Sequence, residues 1–250
     1  MNTTQKTSSL FYKALLALGL LLPSLVWASN CQSHVPFGNM PVVTKPSMLE
    51  QSQALCFDEY MVFFSGKTKT PLWASELLTP QRMSLAQNVR RQGEFYEERR
   101  LGDKASLLSD YRYSGYDRGH MAPSADFSSV QSQQQSYSLA NIVPQVHEQN
   151  AGAWLSVEKQ VRKMAYKHSL YVITGVLFEG NQILFLKGRV AIPTSMYKVI
   201  YNPQTNEAGV YLVPNTENAQ VYVVDLNSLQ ARAGVDFQLP NPSLLPLPAL

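Results

Sequence analysis

The order of segments restricts the fold most: stretches with strand character flank a helical middle. An apolar stripe at spacings of three and four residues predicts a helix over 151–166, formed by Trp154, Val157, Val161 and Met164. We interpret this stripe as core packing. Strand patterns are found on both sides of it, at 60–65, 72–77, 170–178, 183–186, 196–201, 209–213 and 221–224. The first two are predicted to form a hairpin, and the whole pattern predicts a mixed α and β fold.

The N-terminus predicts a secretory signal peptide. Two lysines, Lys6 and Lys13, precede an apolar stretch over 14–22, and a small-residue site follows at 26–28. A permanent anchor is disfavoured because the stretch is too short to span a bilayer and Pro23 interrupts it. We therefore predict a signal peptide over 1–28 and a periplasmic or secreted mature protein over 29–250, without a membrane anchor. Lipid modification of Cys31 is the alternative, disfavoured by the size of Asn30.

No charge block or linker divides residues 29–250, so they are predicted to form a single domain. Residues 29–55 are rich in Pro, Gly, Ser and Gln and predict an irregular arm, whereas the proline-rich tail over 239–250 predicts an extended strap or frayed end. The chain has 21 Lys and Arg against 18 Asp and Glu, and the signal peptide takes two of the lysines. A nearly neutral mature chain must gather positive charge locally to bind a polyanion.

The chain has two cysteines, Cys31 and Cys56, and both lie after the predicted signal peptide. Export to an oxidising compartment makes a disulfide between them the default prediction. Two free thiols are the alternative.

Residues 117–120, Asn150 and Glu158 supply the groups that cleavage of a phosphodiester requires. A neutral imidazole such as that of His120 can accept a proton from water. The planar guanidinium of Arg118 matches phosphate oxygens and keeps its charge. Side-chain oxygens are the ligands that a hard cation such as Mg²⁺ prefers. Gly119 is predicted to let the backbone and a phosphate approach closely.

Asn150 and Glu158 are eight residues apart, which corresponds to about 80° around a helix of 3.6 residues per turn, and Arg162 follows about 40° further on. One helical face can therefore offer an amide oxygen, a carboxylate and a guanidinium. Each residue also has a purely structural interpretation. Asn150 is typical of a helix cap, Glu158 and Arg162 of an exposed ion pair, and His120 of a structural histidine.

The motif DRGHMAP at 117–123 resembles the signature of the DNA/RNA non-specific endonucleases, the ββα-metal nucleases related to the secreted Serratia nuclease. The resemblance continues through LANIVPQ at 139–145 and NAGAW at 150–154, and reaches Glu158 and Arg162 at the family's offsets. It extends to KTPLW at 69–73 and IPTSMYK at 192–198, and so covers essentially the whole mature domain. One departure is Met121, where relatives often carry a polar residue.

The resemblance implies an α+β fold with a mainly antiparallel sheet core and a ββα-metal active-site motif. Together with the predicted signal peptide, it implies an exported endonuclease that hydrolyses DNA and RNA without strong sequence specificity and leaves 5′-phosphates. The implied cofactor is Mg²⁺, with Mn²⁺ as a substitute, and the implied partners are DNA and RNA bound through their phosphate backbone by a monomer or homodimer. A catalytically silent nucleic-acid-binding module with the same fold is the alternative.

The resemblance also assigns roles to individual residues. His120 is the implied general base and Asn150 the direct metal ligand, while Asp117 and Glu158 act through metal-bound waters. The remaining implied residues serve the phosphate or the geometry of the site: Arg118 and Arg162 steady the phosphate, Asn141 organises the site, and Arg91 resembles an upstream phosphate-contacting arginine. His147 receives no role and is predicted to lie in a surface loop.

Overall fold

The structure is a computed structural model that describes residues 31–250, so the predicted signal peptide lies outside the described residues. Its strands are β1 (Val42–Val43), β2 (Ser52–Cys56), β3 (Tyr60–Ser65), β4 (Thr70–Leu78), β5 (Asp117–His120), β6 (Ile142–Gln145), β7 (Leu170–Leu177), β8 (Phe185–Leu186), β9 (Val190–Ala191), β10 (Ser195–Asn202), β11 (Glu207–Pro214), β12 (Tyr222–Val224), β13 (Val235–Asp236) and β14 (Ser243–Leu244).

Seven short helical elements are α-helical: α1 (Pro46–Leu49), α2 (Pro80–Ala86), α3 (Leu108–Tyr111), α4 (Val130–Gln135), α5 (His147–Gln149), α6 (Leu155–Ala165) and α7 (Leu226–Ala233). A π-helical turn, Asn150–Trp154, joins α5 to α6 into one continuous helical stretch. Helical 3₁₀ turns occur at Cys31–His34, Pro36–Gly38, Arg99–Lys104, Ser124–Asp126 and Leu139–Asn141. Within residues 31–250 no helix is long and apolar enough to cross a membrane.

A large sheet forms the centre, with strands in the order β12, β11, β10, β7, β4, β3, β2, and with β14 added beside β11. Every neighbouring pair is antiparallel except β11 with β14. The predicted hairpin of β3 and β4 is confirmed, as is the mainly antiparallel α+β architecture. The predicted strands 183–186 and 221–224 are shorter than expected, at two and three residues.

Both faces of the sheet are covered, which explains why its central strands are apolar without a clear alternation. On one face, sheet residues such as Val172 and Ile200 pack with Trp154, Val157 and Val161 of the helical stretch. The predicted helical stripe is therefore core packing, as expected. On the other face, Ile173 and Val199 pack with Leu229 and Ala233 of α7. The candidate site lies on the side of the long helical stretch.

Three terminal features differ from or complete the sequence expectations. The predicted irregular arm contains β2, which pairs with β3 at residues Ser52–Cys56 and forms the sheet edge. The tail is mostly extended, and its Ser243–Leu244 segment pairs with β11. Cys31 and Cys56 form the predicted disulfide, which ties the first described residues to β2.

Candidate active site

The frame of the site is a small antiparallel pair, β5 with β6, followed directly by the helical stretch that begins at His147. The register places Asp117 opposite Gln145 and His120 opposite Ile142. Because successive side chains on a strand point to opposite faces, Arg118 and His120 share one face and Asp117 takes the other. The contacts agree, since both His120 and Arg118 lie against the Phe95 ring, at 5.5 Å between ring centroids and 5.1 Å from the guanidinium carbon.

His120 is set among aromatic rings. Its imidazole lies 5.5 Å from Phe95 and 5.1 Å edge-on from Tyr137, measured between ring centroids. The Nε2 atom is buried and has no hydrogen-bond partner among the described residues. Burial, and to a smaller extent the charge of Arg91, lower the pKa of His120 to about 3. The imidazole is therefore neutral at pH 7 and able to accept a proton.

Arg91 faces the same space from the segment after α2. Its Nε donates a hydrogen bond of 3.3 Å to the Tyr137 hydroxyl. Its charge lowers the pKa of His120 and also opposes the rise in the pKa of Glu158. One guanidinium acting on both groups places all three residues around one region of the molecule. Arg118 adds a second cation there, with its Nε buried and unpartnered among the described residues.

Asp117 contacts the helical stretch through two residues. Its Oδ2 accepts a hydrogen bond of 2.9 Å from Asn150 Nδ2 and lies 2.9 Å from His147 Nδ1. Since a carboxylate accepts and does not donate, the Asn150 amide must turn its NH₂ group to Asp117, which leaves Oδ1 available for another partner. His147 is exposed, but it lies in α5 and contacts Asp117 instead of occupying a surface loop without a role. Its pKa is raised by the hydrogen bond that it donates to Asp117 and by that carboxylate's charge.

Asn141 is fully buried and acts on the backbone that follows His120. Its Oδ1 accepts a 2.9 Å hydrogen bond from the Ala122 amide, and its Nδ2 donates to the carbonyls of Ala122 and Ser136 at 2.9 and 3.0 Å. Its own carbonyl accepts from the Met121 amide. The side chain therefore holds the turn after β5 against the segment before β6.

The role of Gly119 differs from the expected one. A Cβ on this residue would overlap the side-chain amide of Gln145, so the missing side chain makes room for a protein neighbour and not for a phosphate. Gln145 is fully buried and donates a 2.6 Å hydrogen bond to Gln149 in α5. Sequence reasoning assigned no role to Gln145 or Gln149, which tie the β5–β6 pair to the helical stretch. The motif containing Gln145 was visible, but its contact with Gly119 was not.

Glu158 and Arg162 are not an exposed ion pair. Their side chains are only 13% and 17% exposed, and Arg162 Nη1 lies 3.9 Å from Glu158 Oε2. The closer partner of Arg162 is Asp126, at 3.0 Å. Burial raises the pKa of Glu158, against the opposing charges of Lys198 and Arg162. Asp126 was not predicted from the sequence, because it is brought to Arg162 by a 3₁₀ turn that lies 36 residues earlier.

A buried lysine supports the site from the sheet. Lys198 is 1% exposed, and its Nζ donates to Thr174 Oγ1 at 2.6 Å and to the carbonyl of Met121 at 3.4 Å. It also lies 5.2 Å from the Trp154 ring centroid. Burial lowers its pKa, while the charge of Glu158 opposes this effect. Lys198 therefore connects β10 to the residue that follows His120.

The helical geometry between Asn150 and Glu158 also differs from the expected one. The expected 80° separation assumed a regular α-helix, but Asn150–Trp154 form a π-helical turn. A π turn takes more residues than an α turn, so each residue rotates by less. The two side chains therefore lie closer to one face than a regular helix would place them.

The donor set fits a hard divalent cation held by few protein atoms. Asn150 Oδ1 is free of Asp117, and the carboxylates of Asp117 and Glu158 supply further oxygens. Among the described residues there is no group of three or more His, Cys, Asp and Glu side chains that could hold a metal ion. Mg²⁺ itself keeps several waters in protein sites and needs only one or two protein oxygens.

The family model of the DNA/RNA non-specific endonucleases matches residues 40–243. The chain belongs to this family. It is accordingly a hydrolase of nucleic-acid phosphodiester bonds. The matched region includes every residue of the site described above and all of the large sheet except the final residue of β14.

Similar proteins include a mitochondrial nuclease and Nuclease C1. The chain is 31% identical over 243 residues to "Nuclease EXOG, mitochondrial" of Danio rerio, covering 88% of this chain and 71% of that protein. It is 33% identical over 205 residues to Nuclease C1 of Cunninghamella echinulata var. echinulata, covering 74% of this chain and 77% of that protein. A crystal structure of an EndoG/EndoGI complex has a similar fold, with a TM-score of 0.67 and 24% identity over 78% of this chain and 91% of that chain.

Proposed function

We propose that residues 29–250 form one exported, Mg²⁺-dependent endonuclease domain that hydrolyses DNA and RNA and leaves 5′-phosphates. The observation that carries the proposal is the state of His120. Its imidazole is neutral at pH 7, arginines lie beside it, and the adjoining helix carries side-chain oxygens that suit a metal ion. A neutral base next to cations and cation ligands suits hydrolysis of a phosphodiester.

In the proposed reaction, His120 accepts a proton from the attacking water. The water oxygen forms a bond to phosphorus while the bond from phosphorus to the 3′ oxygen breaks. The 3′ oxygen keeps the bonding electrons and takes a proton from solvent water, and the phosphate stays on the 5′ oxygen of the following nucleotide. Arg118 and Arg91 neutralise charge on the phosphate oxygens, because guanidinium groups match their geometry. Asn150 is the proposed protein ligand of Mg²⁺, which when bound supplies charge neutralisation at the phosphate and the departing oxygen.

Asp117 and Arg162 have positioning roles in this proposal. Asp117 orients the Asn150 amide, as its hydrogen bond to Nδ2 supports. Arg162 is paired with Asp126 and lies beside Glu158, so we assign it mainly to the placement of the Glu158 carboxylate. Asn141 fixes the backbone after His120. Sequence specificity is weak in this scheme, since the groups address phosphate and metal and not base edges.

The first experiment compares purified wild-type protein with His120→Ala. We expect the wild type to degrade plasmid DNA and RNA with Mg²⁺ and to stop in EDTA, and His120→Ala to lose hydrolysis by at least about a hundredfold. The variant should still bind DNA, because the arginines remain. His168→Ala, which alters an exposed histidine far along the chain from the motif, is the matched control and should cut normally.

Two outcomes would contradict this proposal. Binding of DNA without cutting by the wild type would favour the catalytically silent module. Cleavage by His120→Ala at the wild-type rate would reject His120 as the base.

The product ends are tested by labelling with a polynucleotide kinase. Ends that carry 5′-phosphates accept label only after phosphatase treatment, whereas immediate labelling would contradict the proposed bond cleavage.

Export is tested in cells of the source organism. We expect the processed protein in the periplasm or the medium, with an N-terminus near Ser29 by mass spectrometry. An unprocessed chain retained inside the cell would reject the predicted signal peptide over 1–28.

A further inference from the structure

A pocket of about 500 Å³ opens beside the candidate active site. Its lining includes Phe95, Leu108, Arg112 and Arg118, with Gly93 and Glu94 on one side. The volume lies within the range of about 300–1,000 Å³ that is typical of small-ligand pockets. Phe95 and Arg118 belong to both places, because Phe95 also contacts the His120 imidazole. A group in this pocket would therefore be next to the phosphate that His120 serves.

The wall of the pocket formed by residues 108–112 is held firmly. Asp110 is buried and pairs with Arg189 at 2.9 Å, and it also accepts from the Leu107 amide. Lys187 donates hydrogen bonds to the carbonyls of Ser109 and Arg112. Tyr111 is buried and donates to the carbonyl of Ile142, the residue opposite His120 in the β5–β6 pair. The pocket therefore keeps a fixed position relative to the strand that carries His120.

The lining is not that of a simple phosphate site. The Phe95 ring and the Leu108 side chain are apolar, and Glu94 would repel a phosphate placed against it. The two guanidinium groups are planar and can stack on a flat ring as well as bind an anion. An aromatic ring, an aliphatic wall, guanidinium planes and one acid together match a nucleobase, which has an extended π face and N–H donors at its edge.

A second aromatic ring, that of Tyr113, contacts Arg112 of this wall. Tyr113 is 91% exposed and has a left-handed backbone conformation, with φ of 57°. Arg112 donates a 3.3 Å hydrogen bond to its hydroxyl, and the guanidinium carbon lies 5.0 Å from the ring centroid. Nothing in the packing of the described residues requires so exposed a ring at this position. It offers a second stacking surface next to the pocket.

We propose that this pocket binds one unpaired nucleobase of the nucleotide adjacent to the cleaved phosphate, with Tyr113 stacking on the following base. The enzyme then binds and cleaves single-stranded or locally unpaired segments better than regular duplex, because a base that is paired inside a duplex is not free to enter the pocket. This rests on the proposed function, because it names the substrate form that the same site handles best.

Binding in EDTA tests the pocket without cleavage. Fluorescence anisotropy is measured with a labelled single-stranded 12-mer and with the matching duplex. Leu108→Trp fills the pocket and Tyr113→Ala removes the outer ring; we expect each to weaken single-strand binding about tenfold and to change duplex binding much less. The matched controls are Leu244→Trp and Tyr222→Ala, which alter exposed residues on β14 and β12 and should bind as wild type.

Cleavage supplies a second readout. Single-stranded substrates that carry one abasic position are cut with Mg²⁺ and the products are mapped. We expect wild type to cut the phosphate next to the abasic position about tenfold more slowly on one side, and Leu108→Trp to lose this contrast. Absence of any wild-type cutting would count against the proposed function, while the anisotropy result would still decide the pocket. The pocket proposal would be overturned if both variants bound single strands as tightly as their controls. Tyr113 is so exposed that its substitution should not unfold the chain.

Discussion

The surroundings of two histidines close to the candidate site shift their pKa values in opposite directions. Burial among Phe95 and Tyr137 disfavours the charged form of His120, and the nearby Arg91 adds to this effect. For the exposed His147, the hydrogen bond to Asp117 and the charge of that carboxylate raise the pKa and outweigh the smaller opposing effect of desolvation. Residue type alone would give both imidazoles the same ordinary pKa of about 6.5.

This contrast predicts the order in which the two imidazoles titrate. In EDTA, the NMR signals of His120 should have a midpoint far below pH 6.5, because burial lowers its pKa, and those of His147 a midpoint above 6.5. Substitution Asp117→Asn removes the carboxylate and should bring His147 back towards 6.5 without raising His120. The reverse order of midpoints would contradict the environment described for His120.

A second prediction at this scale concerns the amide of Asn150. Asn150→Ala removes the side-chain oxygen that is free of Asp117, so the Mg²⁺ concentration for half-maximal cleavage should rise by at least about tenfold. Plasmid cleavage across a series of Mg²⁺ concentrations measures this. Asn88→Ala, an exposed asparagine on the segment after α2, is the control. An unchanged Mg²⁺ requirement in Asn150→Ala would reject its role as a ligand.

The contact between the β5–β6 pair and the helical stretch is the element on which the site geometry depends. Gly119 in β5 has no side chain, and the buried Gln145 side chain occupies the space that a Cβ would take. Gln145 in turn donates a hydrogen bond to Gln149 in α5. A strand and a helix that carry different site residues are therefore in direct contact through two glutamines. A side chain at position 119 would force these elements apart.

Two glycine-to-alanine substitutions test this contact. Gly119→Ala should lower the free energy of unfolding by about 1–3 kcal/mol, because the added methyl overlaps Gln145. Gly152→Ala is the matched control: it lies in the π-helical turn with open space around its Cβ, so it should be neutral or stabilise by up to about 1 kcal/mol. Urea unfolding monitored by fluorescence measures both. Equal stabilities would show that Gln145 moves aside at no cost.

At the scale of the whole molecule, a largely buried set of charged side chains joins the sheet to the helices under the candidate site. It contains four carboxylates and three cations: Glu59, Glu76, Asp126 and Glu158 with Arg82, Arg162 and Lys198. Arg82 pairs with Glu76 at 2.9 Å and donates to the carbonyl of Asp126, while Arg162 pairs with the Asp126 carboxylate. The carboxylates outnumber the cations by one, so the charges of the set balance when one of the acids is protonated.

Glu76 is the acid expected to hold that proton. Burial, followed by the charge of Asp126, raises its pKa from 4.5 to about 8, despite Arg82. The folded state thus binds this proton more tightly than the unfolded state. The resulting stabilisation is complete below about pH 4.5 and is lost as the pH rises to 8, at up to about 1.4 kcal/mol per pH unit.

Glu76→Gln tests this, because glutamine resembles the neutral acid at every pH. Relative to wild type, the variant should gain stability steadily between pH 5 and 8, whatever its offset at pH 5. Urea unfolding at several pH values measures the difference. Glu148→Gln, an exposed glutamate in α5, is the control and should show no such trend. A constant difference between Glu76→Gln and wild type would show that Glu76 is ionised throughout.

Local patterns were enough to predict the central strands, the β3–β4 hairpin and the packing face of the long helix. Such patterns depend on residues two to four positions apart, which the sequence displays directly. The disulfide was predicted because only two cysteines were present. Helix α7 was missed although its ends are marked, by Asp225 as the cap and by Gly234 in the left-handed conformation. Its short apolar pattern was not distinct enough to be recognised.

Contacts between distant parts of the chain could not be predicted in this way. Position 119 needs a glycine because of the Gln145 side chain, 26 positions later. The ion-pair partner of Arg162 is Asp126, and residues from three separate segments line the Phe95 pocket. The chemical types of the site residues were evident from their motifs, because each type suits one task. Their pKa values and neighbours were not, because burial and charge depend on how the sheet, the β5–β6 pair and the helical stretch pack together.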